Sequence, residues 1–383
     1  MAERSKNFLL DLQQKSGNDV CVDCGAKDPE WASYNIGVFL CQDCAGIHRS
    51  MGTHISKIKS IKLDNWENSQ LELMAAMGNE KAKSNYEQFV PAFYRRPKST
   101  DPLVLREQWI HAKYERAEFQ DPERQAAYTT NYREGTLYKR GRDDKKYYPR
   151  KFALSTQNNT LSYFNKEVAR TPKASINLDT LNAVFVPEKT GNPCALQLMF
   201  DENGSTRNVF VYANDPKEIV DWFHCIRAAK LSRKQIAFPD RDANEMAEDL
   251  THDFLMEGWL SKMGPNNEPY RRRWFTLDRR KLMYTEDPLN AFALGELFIG
   301  HKDSGGYSVE AGVPDGKDAP GFGFTLTTPN RVFYLSAESK EDMDKWIDSL
   351  QKVMEMPLTP QDSRWAREPF RRPSKRRSSF PFI

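Results

Sequence analysis

The chain has 383 residues, 39% hydrophobic and 28% charged, with a formal net charge of +3. That length exceeds one ordinary core and, at roughly 150 residues per domain, implies two or three units. So small a net charge settles no partner, and no stretch approaches the roughly 18 apolar residues of a membrane span. The amino terminus, MAERSKNFLLDLQQKSGN, has only a short apolar run between charges and does not read as a secretory signal, so a cytosolic protein is expected.

Residues 1–18 read as a short helix with Phe8, Leu9 and Leu12 on its apolar face and Ser16-Gly17-Asn18 as its stop. Two CxxC pairs follow, Cys21 with Cys24 and Cys41 with Cys44, sixteen residues apart. In a reducing compartment this pattern favours metal over disulfides, and four thiolates so spaced can surround one zinc ion as a tetrahedron. A redox reading would employ one CxxC and leave the second unused. With sulfur at all four positions the zinc is structural and keeps no open position for water. Cys194 and Cys225 stand alone and read as small core residues. Five places after Cys44 comes Arg49, which by position alone would pair with a surface carboxylate.

Residues 67–88 read as two short helices broken near Gly78-Asn79, and Asp101-Pro102 as the cap and first turn of a longer helix. Leu103, Ile110, Tyr114 and Ala117 would share one face of it. Beyond residue 130 the pattern changes to short β-type runs, and it does so twice. EGTLYKR at 134–140 returns as EGWLSKM at 257–263, and Gly135 to Gly258 and Phe152 to Phe275 are each 123 residues apart. Each copy ends in a helical stretch with one tryptophan, Trp222 or Trp346. Each therefore reads as an antiparallel sheet closed by a carboxy-terminal helix. The boundaries expected are 1–130, 131–233, a polar linker at 234–253, 254–357, and a tail at 358–383. The tail is basic, proline-rich and expected to be disordered. Its Ser374 and Ser378, like Ser379, lie in basic contexts that kinases favour.

The cysteine spacing with Arg49, together with WASYNIGVFLC, GIHRSMGTHIS and SIKLDNW, resembles the zinc-finger domain of the Arf GTPase-activating proteins. Met51 stands where many members carry leucine, a conservative swap. The resemblance implies helices around a small sheet, one structural zinc ion, an Arf GTPase as partner, and Arg49 as an arginine finger acting in trans. No independent catalytic reaction is expected of the chain itself. Trp31, Ile36 and Phe39 are candidates for the GTPase contact, with packing around the metal as the alternative. His48 and His54 are expected to make structural hydrogen bonds, since the cysteines complete the metal site.

The repeated units resemble the pleckstrin homology (PH) domain, an antiparallel β-sandwich or barrel capped by a helix. The resemblance places a phosphoinositide cup at the first two strands. In the second unit Lys262, Arg271 and Arg273 carry the full pattern for lipids phosphorylated at the 3-position, and Tyr284 adds to it. In the first, Lys139 and Arg150 match, with Tyr163 and Lys173 as further contacts. Tyr148 replaces the first spaced basic residue there, and the loop supplies Arg140, Arg142, Lys145 and Lys146. The domain order resembles the centaurin-alpha family, a multidomain α+β architecture. It implies recruitment from the cytoplasm to the plasma membrane by phosphatidylinositol 3,4,5-trisphosphate, with soluble inositol phosphates as further ligands and no nucleic acid. The alternative is a phosphoinositide-binding adaptor whose zinc module is only a docking surface.

Overall fold

The computed structural model describes residues 2–125, 127–165, 168–359, 362, 370 and 371. Ser374, Ser378 and nearly all of the basic tail lie outside the described residues. The chain divides into two compact units. The first takes Met1–Lys139, Tyr147–Gln197 and Val211–Thr251, and the second Arg140–Lys146, Leu198–Phe210 and His252–Ile383. No helix among the described residues is long and apolar enough to cross a membrane.

The first unit opens with α1 (Ala2–Gln13), β1 (Trp31–Ser33), β2 (Val38–Leu40), α2 (Gln42–Ser50) and β3 (Ile58–Ser60). The three strands form one antiparallel sheet in the order β2-β1-β3. Leu9 and Leu12 of α1 bury against Ala32, Phe39 and Ile61. Phe8, expected on the same face, is exposed, because Leu9 and Leu12 at i, i+3 already fill the stripe. Then come α3 (Asn68–Ala76) and α4 (Gly78–Tyr86), broken where expected, with Gly78 at φ +72.

The next helix, α5 (Leu103–Ile110), differs from its expectation. Pro102 occupies the cap position, while the Asp101 carboxylate turns away to accept from the Lys98 N–H (2.8 Å) and Arg95 (2.5 Å). Leu103 is exposed, and a π-helical turn at His111–Glu115 rotates the end of the helix before Ala117 at φ +51 closes it. One extra residue in a turn shifts every later side chain around the axis. Ala117 therefore shares no face with Ile110.

The first repeat comprises β4 (Tyr132–Arg140), β5 (Tyr147–Ser155), β6 (Thr160–Phe164), β7 (Ala174–Asn177), β8 (Asn182–Phe185) and the short α6 (Pro187–Thr190). It ends with β9 (Ala195–Glu202), β10 (Ser205–Tyr212) and α7 (Pro216–Ala237), which starts under an Asp215 cap on the Lys217 N–H. The sheet runs β7-β6-β5-β4-β10-β9-β8. Residues 234–253, expected as a polar linker, contain the end of α7 and a further turn of helix, α8 (Ala243–Ala247). Met246, Ala247 and Leu250 bury against Leu231, with Ala92 and Phe93 packed alongside. Acidic residues dominate this stretch, but its few apolar ones recur at helical spacing and find a partner.

The second repeat has β11 (Met256–Lys262), β12 (Arg271–Asp278), β13 (Lys281–Thr285), β14 (Gly295–Phe298), β15 (Ser308–Ala311), β16 (Phe322–Thr328), β17 (Arg331–Ala337) and α9 (Lys340–Glu355). Its sheet order is β15-β16-β17-β11-β12-β13-β14, extended at the β14 edge by β18 (Phe370–Arg371). Part of the tail thus pairs with an otherwise open edge, a use of unpaired backbone groups that composition does not signal. Trp222 and Trp346 are both buried, each against the phenylalanine of the second strand of its own sheet, Phe152 or Phe275. Gly135 and Gly258 face these two rings, at 3.4 Å and 3.7 Å from where a Cβ would stand. Cys194 and Cys225 are buried as expected.

Within the first unit α7 packs against the amino-terminal module through His224, whose ring stacks on Tyr94 at 3.7 Å and accepts the Arg95 N–H (3.3 Å). Arg227 donates to the carbonyl oxygens of Phe93 (2.6 Å) and Ala247 (3.1 Å) and to the Thr251 hydroxyl (2.6 Å). Burial, with the charges of Arg227, Arg95 and Lys217 behind it, pushes the His224 pKa well below 6.5. The unfolded chain therefore takes up a proton near pH 6.5 that the folded one refuses, and acid favours unfolding. Urea midpoints of the full chain should fall from pH 7 to pH 5, by up to about 1.4 kcal/mol per unit from this group, and His224→Phe should flatten that slope.

Candidate functional site

Cys21 and Cys24 lie on the turn before β1, Cys41 caps the amino end of α2, and Cys44 sits in its first turn. The four sulfurs lie within 4.8 Å of one another, with Cys24 and Cys41 at 3.6 Å. A tetrahedron of sulfurs about 2.3 Å from a central ion has edges of about 3.8 Å. The donor set and its dimensions are compatible with one zinc ion. Two of the sulfurs stand at the start of α2, where the helix dipole favours negative charge.

Arg49 leaves the last turn of the same helix, exposed, with its guanidinium carbon 4.3 Å from the centre of the Trp31 ring. Among the described residues it has no carboxylate partner. Trp31, half-buried on β1, lies under the arginine. Ile36 and Phe39 are 6% and 0% exposed, which favours packing, the alternative to a GTPase contact.

Beneath Arg49 runs a set of buried charges that sequence reasoning missed. Asp23, between two of the cysteines, receives Lys113 (3.0 Å), the Tyr114 hydroxyl (3.2 Å) and His48 Nε2 (3.0 Å). Lys113, 0% exposed, also pairs with Glu87 at 2.8 Å. Burial alone would raise the Asp23 pKa, yet the Lys113 charge and the His48 bond hold it at about 2. His48 makes structural hydrogen bonds, as expected. Lys113 carries no signal in the sequence because Asp23 lies 90 residues away and the fold alone makes the two neighbours.

In the second repeat the register pairs Lys262 with Arg271, Leu260 with Arg273, and Phe275 with Tyr284. Period two then puts Lys262, Arg271, Arg273 and Tyr284 on one face, continuous with the core residues Leu260 and Phe275. The cup is the open end of the core. Lys262 is 8% exposed, lies 5.4 Å from the Tyr284 ring centre, and donates to the Met263 carbonyl oxygen (2.9 Å). Arg271 faces Glu268 at 3.4 Å and Arg273 faces Glu286 at 3.6 Å. Tyr284 is buried and serves as a floor under the lysine rather than an exposed contact.

The first repeat repeats the arrangement, with Lys139 Nζ 5.1 Å from the centre of a buried Tyr163 and Arg150 stacked 5.4 Å from Tyr148. Lys173 is exposed, its N–H bonded to the Tyr163 carbonyl oxygen (2.8 Å). Within the second unit Arg140 donates to the Leu289 carbonyl oxygen (3.0 Å), Arg142 pairs with Asp143 (3.0 Å) and Lys145 pairs with Asp287 (3.1 Å), so at least three of the loop's four charges are engaged.

The ArfGap family model, described as a GTPase activating protein for Arf, matches residues 6–123, and the PH domain model matches residues 131–231 and 254–355. Fold and site thus define one ArfGap module followed by two PH domains. Arf-GAP with dual PH domain-containing protein 2 of Homo sapiens is 44% identical over 365 residues, covering 94% of this chain and 95% of that protein. The Rattus norvegicus protein of that name is also 44% identical, covering 94% and 96%. Stromal membrane-associated protein 1 of Homo sapiens is 47% identical over 119 residues, 31% of this chain and 25% of that protein. The chain belongs to the family of Arf GTPase-activating proteins with dual PH domains, the centaurin-alpha family.

Metal binding in such modules supplies about 10–16 kcal/mol, more than the stability of a typical small domain. Cys44→Ser should therefore release the metal and unfold the region around it rather than trim it. Metal content by elemental analysis and tryptophan fluorescence check this, and a folded, metal-loaded variant would contradict it.

Proposed function

We propose that Arg49 enters the nucleotide site of an Arf GTPase and neutralises charge on the transferring phosphoryl group. The chain is an Arf GTPase-activating protein with PH domains, and this reading names the residue that acts. The observation carrying it is Arg49 itself, exposed at a helix end, without a carboxylate partner among the described residues, and braced on Trp31. A guanidinium in trans can raise a slow GTPase by about 10³–10⁵, and its planar fork meets two oxygens where an ammonium meets one. One zinc ion held by Cys21, Cys24, Cys41 and Cys44 would keep α2 rigid and take no part in the chemistry. The chain performs no reaction of its own in this reading, since GTP and Mg²⁺ belong to the GTPase.

The PH domains recruit the protein from the cytoplasm to the plasma membrane. Lys262, Arg271 and Arg273 form the stronger cup, selecting phosphatidylinositol 3,4,5-trisphosphate and binding soluble inositol phosphates of the same pattern. Lys139, Arg150 and Lys173 form the weaker one. Basic tail residues each add about 1 kcal/mol of attraction to an anionic leaflet, which phosphate on Ser374 or Ser378 would cancel.

GTP hydrolysis by Arf on vesicles containing the trisphosphate should fall about 10³-fold with Arg49→Lys. Undiminished turnover with intact vesicle binding would favour a docking adaptor instead. Arg273→Ala should weaken headgroup binding about 10- to 100-fold, as loss of a charge-assisted bond does, measured by titration calorimetry with the soluble headgroup.

A further inference from the structure

The buried charges and Arg49 meet at one side chain. His48 immediately precedes Arg49 in the last turn of α2, is 0% exposed, and has both ring nitrogens engaged. Nε2 lies 3.0 Å from Asp23, and Nδ1 lies 2.8 Å from the Ser56 hydroxyl. That hydroxyl is in turn 2.8 Å from Ser33, two residues along β1 from Trp31. Side chains two apart on a strand share a face. One face of β1 therefore grips the end of α2 twice, through Ser33, Ser56 and His48, and through Trp31 under Arg49.

On its other side His48 is held by a carboxylate that Lys113 fixes in turn. A buried ion pair of this kind often contributes less to stability than apolar side chains of equal volume. Stability alone does not account for it, whereas direction does. An imidazole bonded at both nitrogens cannot turn without breaking one bond, and α2 cannot roll without moving the imidazole.

We infer that His48, clamped between Asp23 and Ser56, is a positioning residue that sets the direction in which Arg49 leaves the helix. The inference rests on the reading of Arg49 as the finger. Misplacing a reacting group by about 1 Å can cost about 10²-fold in rate. The effect belongs in turnover and not in encounter with the GTPase, because none of the clamp residues is exposed.

The test compares the full-length protein with Ser56→Ala, Ser33→Ala and Arg49→Lys, using GTP-loaded Arf at rising concentration on phosphatidylcholine vesicles with the trisphosphate lipid. Rates are taken per mole of metal-loaded protein, so loss of folded material does not register as loss of aim. Ser56→Ala should lower kcat about tenfold or more with KM within about twofold, and Ser33→Ala should lower it less. An unchanged kcat in Ser56→Ala beside an inactive Arg49→Lys overturns the inference and leaves the finger standing. A raised KM alone, or serine variants that fail to load metal, also overturns it, assigning the clamp to docking or folding. A fully active Arg49→Lys removes the finger reading and this inference with it.

Discussion

The carboxylate of Asp23 is the point on which the amino-terminal module turns. It sits on the cysteine turn, yet its partners come from α2 and from the π-helical turn that ends α5. Three distant segments are thereby tied to the same few ångströms as the sulfur cluster. Removing one member of a buried pair leaves the other charged and dry, at a cost of about 3–5 kcal/mol, so the set tolerates no partial loss. The π turn at His111–Glu115 carries both Lys113 and Tyr114, which reach Asp23 side by side.

Legibility divided along the same line. The four-cysteine cluster was readable because cysteine spacing is local and its chemistry leaves few options, and the repeats because offsets of 123 or 124 residues preserve glycine, phenylalanine and tryptophan together. Lys113, Glu87 and Asp23 were not, since each alone is an ordinary solvated charge and only the fold makes them neighbours. The same reasoning failed at residues 234–253, where acidic composition hid Met246 and Leu250, and at Phe370 and Arg371, where backbone pairing needs no side-chain signature. At Asp101 a local rule lost to a tertiary one, since Arg95 holds the carboxylate that would have capped the helix.

The two repeats illustrate what duplication fixes and what it frees. Each keeps a lysine at the end of its first strand over a buried tyrosine of its third, and each keeps an arginine two places before the core phenylalanine of its second. These residues are the last turns of a core-facing pattern, so the packing that holds the sheet also aims the cationic side chains. What differs lies one step further out, at Tyr148 against Arg271, beyond the packed core and free to vary without disturbing it. Tyr148 replaces a charge by a ring that Arg150 stacks on, whereas Arg271 keeps a second fork above Arg273. The same backbone register thus presents two basic strand ends that differ in charge at a single position, Tyr148 against Arg271.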